Sequence, residues 1–212
     1  MGREFIELFE EWSKSYDDTV DGHNLEYREV FLNYERILDS VVSRVHGHAI
    51  EFGIGTGNLT EKLLNAGLTV TAVEPSPAMR EKAFEKLQHR TDIVDGDFFE
   101  FPKLENVDSI ISTYAFHHLN DVEKTKAIAI YSQLLKTGGK IVFADTMYLT
   151  KEHHKQAILD AKSSGYHNLA NDLSTEYYTT IPFLEDILKE NGFTVSFDKC
   201  NSFVWIMEAE KL

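Results

Sequence analysis

From residue 46 onward, short apolar runs alternate with stretches whose apolar positions recur every three or four residues. The runs cover residues 48–52, 68–74, 91–94, 107–113 and 140–144. The stretches between them, 58–66, 76–89 and 121–136, carry the period of amphipathic helices. Strand and helix repeating at this interval predict a parallel sheet with crossover helices on both faces. The helix ends are legible too. Gly67 and Gly138-Gly139 stand where a left-handed C-terminal residue is needed, and Ser76-Pro77 offers an N-cap followed by proline in the first turn.

The two ends of the chain depart from this pattern. Residues 3–45 read as helix, from Phe5, Leu8, Phe9 and Trp12 to Val30, Leu32, Tyr34, Ile37, Leu38 and Val41, interrupted at Asp21-Gly22-His23-Asn24. Near the other end, residues 151–162 and 181–191 read as helices flanking a polar, tyrosine-rich segment. Two β-rich runs, 193–200 and 203–209, are separated only by Asn201-Ser202. So short a connection demands an antiparallel hairpin, because parallel neighbours need a crossover of roughly a dozen residues. With no repeat, low-complexity stretch or linker, the 212 residues read as one domain. Its expected parts are a helical N-terminal lid (1–45), a ligand-binding core (46–147), a substrate-side insertion (148–180) and a terminal helix with the hairpin (181–212).

The chemistry begins at Glu51-Phe52-Gly53-Ile54-Gly55-Thr56-Gly57-Asn58, where the first strand gives way to the first crossover helix. Glycines there permit positive φ and let a ligand approach the backbone. The spacing is Gly-x-Gly-x-Gly, not the Gly-x-Gly-x-x-Gly of dinucleotide enzymes. Glu51 would repel a pyrophosphate but favour an ammonium or sulfonium, so the turn suits a cationic nucleoside. At the end of the second strand, Glu74 can accept two hydrogen bonds from a ribose diol. After the third, Asp97 can accept an adenine amino group and Phe98 can pack near the ring.

Composition removes several alternatives. Thirty-five acidic against 21 basic residues leave a net charge of −14, and no basic stripe is present. Nucleic-acid and anionic-membrane partners are therefore not expected. The single cysteine, Cys200, rules out an intrachain disulfide and a cysteine zinc cage. The N-terminus lacks the apolar core of a signal peptide, and no apolar run approaches the ~20 residues of a membrane span. A cytoplasmic protein is expected.

On these motifs, spanning roughly residues 12–144 plus the terminal hairpin, the chain resembles the class I S-adenosylmethionine-dependent methyltransferases, and is similar to small bacterial members acting on small molecules. The resemblance implies a Rossmann-like α/β fold with a seven-stranded, mostly parallel sheet and S-adenosylmethionine as cofactor. It places Glu51 and Gly53 by the methionyl end, with Gly55 and Gly57 in the same loop, Glu74 on the ribose and Asp97 on the adenine amino group. Trp12-Ser13-Lys14-Ser15-Tyr16-Asp17 resembles a family segment whose tyrosine, here Tyr16, lies over the cofactor. Leu135-Lys136-Thr137-Gly138-Gly139 is similar to the family's Leu-Lys-Pro-Gly-Gly turn, with Thr137 replacing proline.

The segment Ser112-Thr113-Tyr114-Ala115-Phe116-His117-His118-Leu119 corresponds to the part of the family that faces the transferred methyl. His117 or His118 titrates near neutrality and is the candidate base, against the alternative that one imidazole caps the next helix and the other packs. The Asn/Asp-Pro-Pro-aromatic motif of enzymes that methylate base amines is missing. No metal centre is expected, since His153 and His154 are adjacent and point about 100° apart on a helix, and no acidic magnesium cluster is recognisable. Residues 148–180, with His153, His154, Tyr166, His167, Tyr177 and Tyr178, are expected to join residues 1–30 in a lid over the acceptor. The same segment also fits a plain surface helical pair. Two other classes share these loops: a non-catalytic sensor that binds the cofactor, and a nicotinamide-dependent oxidoreductase, against which the glycine spacing and Glu51 speak.

Overall fold

The computed structural model describes residues 16–212. The helix expected around Phe5, Leu8, Phe9 and Trp12 lies outside the described residues. Helices α1 (Tyr16–Val20) and α2 (Tyr34–Val42) remain of the N-terminal segment, joined by turns. The break between them is longer than Asp21 to Asn24 alone. Asn33, the N-cap of α2, sits at φ 65°, a left-handed conformation through which no helix can run. Val30 is therefore buried from a turn, its apolar spacing notwithstanding.

The alternating elements follow in the expected order: β1 (His48–Phe52), α3 (Asn58–Asn65), β2 (Thr69–Val73), α4 (Pro77–Leu87), β3 (Ile93–Val94), β4 (Ser109–Thr113), a 3-10 turn (Phe116–His118), α5 (Asp121–Leu134) and β5 (Lys140–Tyr148). Strand β5 runs on to Tyr148, past the expected end at Ala144. The chain continues through α6 (Lys151–Ser163), α7 (His167–Thr175), β6 (Thr179–Thr180), α8 (Ile181–Glu190), β7 (Phe193–Lys199) and β8 (Val204–Lys211). Helix α7 buries Leu169, Ala170 and Leu173 on one side of a segment whose composition reads as polar.

The sheet order is β3-β2-β1-β4-β5-β8-β7, with β6 beside β5 off that path, making eight strands among the described residues where seven were expected. Strand β6 pairs only Thr179 and Thr180 with Met147 and Tyr148, too short a run to leave a periodic signal. Strands β1 to β5 pair in parallel, while β8 is antiparallel to both β5 and β7. The terminal hairpin is thus as the two-residue spacing demands.

Both faces of the sheet are buried, and successive residues serve opposite sides. Ile141 and Phe143 join α5 and α8 through Ile128, Tyr131 and Leu184. Val142 and Ala144 join α2 and α3 through Leu38, Val41 and Leu63. Helix α5 is fixed at its start by a capping box, in which the Asn120 side chain and Glu123 satisfy each other's backbone N–H groups. From β1 the chain moves outward to β2 and β3, then returns to place β4 on the other flank of β1. The carboxyl ends of β1 and β4 therefore border the gap where ligands bind in open α/β sheets.

Candidate active site

A cavity of about 1150 Å³, its open mouth included, lies at that gap. The glycine turn forms one wall. Gly53, Gly55 and Gly57 hold φ of 66°, 56° and 86°, where any other L-residue is strained. Each has its own reason to lack a side chain. A Cβ on Gly53 would lie 2.6 Å from the Cβ of Ala115, and one on Gly57 would stand 3.2 Å from Leu87. A Cβ on Gly55 would meet nothing within 4 Å, because that glycine faces the cavity. Gly53 and Gly55 line the space, whereas Gly57 serves helix packing outside it.

Glu74 follows β2 and is only 3% exposed, with its carboxylate on the cavity wall. Gly55 N–H donates to Oε2 at 2.9 Å and Ser76 N–H to Oε1 at 2.8 Å, so the acid also holds the glycine loop in place. Burial outweighs these donors and pushes its pKa up to about 7. Asp97 borders the same space. Its Oδ1 accepts the N–H groups of Phe99 and Glu100 at 2.8 and 2.9 Å, and the next residue, Phe98, packs its ring 5.4 Å from that of Phe52.

Glu51 is placed otherwise than its charge suggests. It is 1% exposed, accepts a 2.7 Å hydrogen bond from the Thr60 hydroxyl of α3, and does not line the cavity. Burial pushes its pKa up to about 8. Its carboxyl faces the first crossover helix through Thr60, and the residue is not among those lining the cavity.

Tyr16 lines the cavity from α1, with its ring set edgewise 6.3 Å from Phe31. Its neighbour Asp17 ties that helix to the glycine loop, accepting from Thr56 Oγ1 at 2.7 Å, Lys86 Nζ at 3.0 Å and Asn58 Nδ2 at 3.2 Å. Thr113 ends β4 and Tyr114 follows it along the same wall. Tyr114 holds φ 52°, a costly conformation for an aromatic residue, and packs between Phe31 and Tyr34 at 5.0 and 5.6 Å. Among the described residues its buried hydroxyl has no hydrogen-bond partner.

His117 and His118, expected to face an acceptor, both lie on the cavity wall. Asp145, in the unforeseen extension of β5, takes His117 twice: Oδ2 accepts the backbone N–H at 3.0 Å, and Oδ1 faces Nδ1 at 2.6 Å. On the other side, Nε2 of His117 lies 3.3 Å from Glu176 Oε2. Burial would lower the His117 pKa, but the two carboxylates overrule it and hold it above the ordinary value. His118 is pushed well below that value by burial, with His117 and Lys124 adding to the effect. Tyr178 stacks on His117 at 4.9 Å and donates its hydroxyl to Glu176 at 2.6 Å. Burial pushes the Glu176 carboxyl up.

Neither Asp145 nor Glu176 stands out in the sequence, lying 28 and 59 residues from His117. Tyr27 and Asp172, joined by a short hydrogen bond, complete this end of the cavity. Residues from both segments read as a lid, 1–30 and 148–180, thus border one space. His154 donates to or accepts from no second histidine among the described residues: its Nε2 meets the Leu173 carbonyl at 2.7 Å and its ring stacks on Tyr148. None of the described helices is long and apolar enough to cross a membrane.

Comparison with known proteins adds a second line. Residues 50–143 match a family model described as a methyltransferase domain. An uncharacterised methyltransferase of Geobacillus sp. (strain WCH70) is 58% identical over 212 residues, covering all of both chains. Another, from Bacillus cytotoxicus, is 54% identical over 211 residues, again covering both chains in full. Among solved structures, the DhpI-SAM-HEP complex aligns with a TM-score of 0.68 at 16% identity, over 96% of this chain and 94% of that one. Magnesium protoporphyrin IX methyltransferase from Synechocystis PCC 6803 with bound SAH aligns at 0.67 and 17% identity, over 89% and 88%. At these identities the structural likeness concerns the fold.

Proposed function

The chain belongs to the class I S-adenosylmethionine-dependent methyltransferases, and we propose that it transfers a methyl group from S-adenosylmethionine to a small-molecule acceptor in the cytoplasm. One observation carries the cofactor assignment. Gly55 turns its bare Cα to the cavity beside a buried carboxylate, Glu74, that borders the same space. That cradle would be filled by a Cβ, and the carboxylate has lone pairs beyond the two spent on backbone N–H groups. The residues present therefore fit an adenosine carrying a sulfonium.

S-adenosylmethionine, when bound, supplies the activated methyl group. The protein's part is to bind, align and exclude water. In this reading Gly53 and Gly55 leave room for the methionyl part, Glu74 accepts the ribose hydroxyls, and Asp97 with Phe98 receives the adenine. Tyr16 and Thr113 close the cavity towards the methyl. Glu51 supports the turn from behind, through Thr60, instead of meeting the cation directly. His117 and His118 stand on the acceptor side, and residues 16–30 and 148–180 form the lid. A small acceptor is favoured by the net charge of −14 and by the mainly apolar, partly aromatic lining of the cavity.

The test is methyl transfer from radiolabelled S-adenosylmethionine to pooled bacterial metabolites. Incorporation into a small molecule, lost in Glu74→Ala, supports the reading. Cofactor binding without transfer to any pool would point to a sensor.

A further inference from the structure

His117, His118 and Glu176 each turn a potential ligand atom to one point on the cavity wall, all within 4.8 Å of one another. The separations are 3.3 Å from His117 Nε2 to Glu176 Oε2 and 4.0 Å from His118 Nδ1 to Glu176 Oε1. Ligands of a tetrahedral ion with bonds of about 2.0–2.2 Å stand roughly 3.3–3.5 Å apart. The first pair already has that spacing, and the second needs a shift of about half an ångström. We propose that this triad binds a divalent transition-metal ion of the zinc type on the acceptor side of the cavity.

Adjacent histidines normally diverge, which is why the sequence gives no hint of this site. Here the tight turn at Phe116–His118 leaves the two imidazole centroids 4.3 Å apart at an interplanar angle of 62°. The third ligand is brought up by two backbone ties. Tyr177 N–H donates to the His117 carbonyl at 3.0 Å, and the buried Lys124 ammonium donates to the Tyr177 carbonyl at 2.7 Å. Glu176 is therefore held beside the histidines through the residue that follows it.

The surroundings fit a metal in two further ways. Asp145 occupies Nδ1 of His117 at 2.6 Å, which fixes the ring and directs Nε2 towards the triad centre. A carboxylate on the far nitrogen of a ligating histidine is the usual second layer of such centres. Charge points the same way. Asp145, Glu176 and Asp172 cluster at this end of the cavity, with Lys124 the nearby ammonium. Two imidazoles and one carboxylate select zinc, cobalt, nickel or iron over magnesium and calcium, which prefer all-oxygen sites.

Three protein ligands leave the fourth position open to the cavity. That position suits an acceptor with a thiol, hydroxyl or carboxylate, whose heteroatom would be oriented by the ion. This role rests on the methyltransferase reading, whereas ion binding itself does not.

The experiment uses the full chain, stripped with a chelator and titrated with Co²⁺, Zn²⁺ and Mg²⁺. S-adenosylhomocysteine binding is measured separately on the same metal-free sample. The proposal expects one Co²⁺ per chain with the intense visible bands of a four- or five-coordinate ion, displacement by Zn²⁺, and no competition from Mg²⁺. Glu176→Gln and His118→Ala should each weaken binding by about tenfold or more, and Asp145→Asn by about 10–100-fold. Glu176→Gln is nearly isosteric, so it keeps the test usable if His118→Ala fails to fold. Absence of saturable Co²⁺ binding in a sample that binds S-adenosylhomocysteine overturns the metal site and leaves the methyltransferase reading intact. Binding undiminished in folded Glu176→Gln also overturns it, assigning the ion to surface histidines.

Discussion

Asp145 grips His117 at two points, its Oδ2 accepting the backbone N–H at 3.0 Å and its Oδ1 facing Nδ1 at 2.6 Å. Both residues are nearly inaccessible to water, so a lost partner here would not be replaced cheaply. In Asp145→Asn the amide keeps only one acceptor oxygen, and one of the two N–H groups of His117 is left unpaired. Chemical denaturation should show a loss of ~1–3 kcal/mol. Affinity for S-adenosylhomocysteine, whose proposed contacts include neither Asp145 nor His117, should stay within about twofold. Equal stability of the variant would mean that the pair does not hold the turn.

Glu51 gives the protein a pH-dependent weakness. Its carboxyl ionises near pH 4.5 when unfolded and only at about 8 in the folded chain, because burial penalises the charge. Between those values the native state retains a proton that the unfolded state has released, so stability from this group falls as pH rises. Glu74 acts in the same direction up to about pH 7. Glu51→Gln, which mimics the protonated acid beside Thr60, should gain on the parent chain by roughly 1–3 kcal/mol between about pH 5.5 and 8. Parallel stability curves would contradict the buried placement.

Gly53 and Gly55 should respond differently to the same methyl group. Both have positive φ, which costs alanine roughly 1–2 kcal/mol. Gly53→Ala adds a collision with Ala115, raising the expected loss to roughly 2–5 kcal/mol. Gly55→Ala meets no protein atom, so it should pay only the backbone strain yet lose about tenfold or more in S-adenosylhomocysteine affinity. Thermal melts and binding titrations on the two variants separate these effects. Equal stability losses would place Gly55 away from open space.

Asn120→Ala removes half of the capping box that starts α5. It should cost ~1 kcal/mol of stability and leave cofactor affinity unchanged, because that cap anchors a helix behind the cavity. A cofactor-binding defect would show that the histidine turn and the cofactor wall move together.

Much of this architecture can be read directly from the chain. The β1 to β5 runs announce themselves because strands buried on both faces are almost wholly apolar, as at Ile141 to Ala144. The glycine turn and Glu74 are legible because both lie within a few residues of a strand end. What escaped is long-range or geometric. Asp145 reads as the residue after a strand that in fact continues, and Glu176 sits in a polar stretch with no period of its own. Their meeting with His117 depends on the path of α7 and β6, which local patterns do not specify. Glu51 shows the opposite failure. Its position in the sequence is right for a ligand contact, but strand alternation points the carboxyl at Thr60, and one residue of register decides which side it faces.

The central claim is that the cavity beside the glycine turn holds S-adenosylmethionine with Glu74 on its sugar. Calorimetric titration of the purified chain with S-adenosylhomocysteine, at about pH 8 where Glu74 is ionised, tests it most directly. The expected result is one site per chain, with Glu74→Ala weakening affinity by ~1–3 kcal/mol, a factor of roughly 5–150. A folded chain that gives no binding heat and no thermal stabilisation, or a folded Glu74→Ala variant that binds as tightly as the parent, would contradict it.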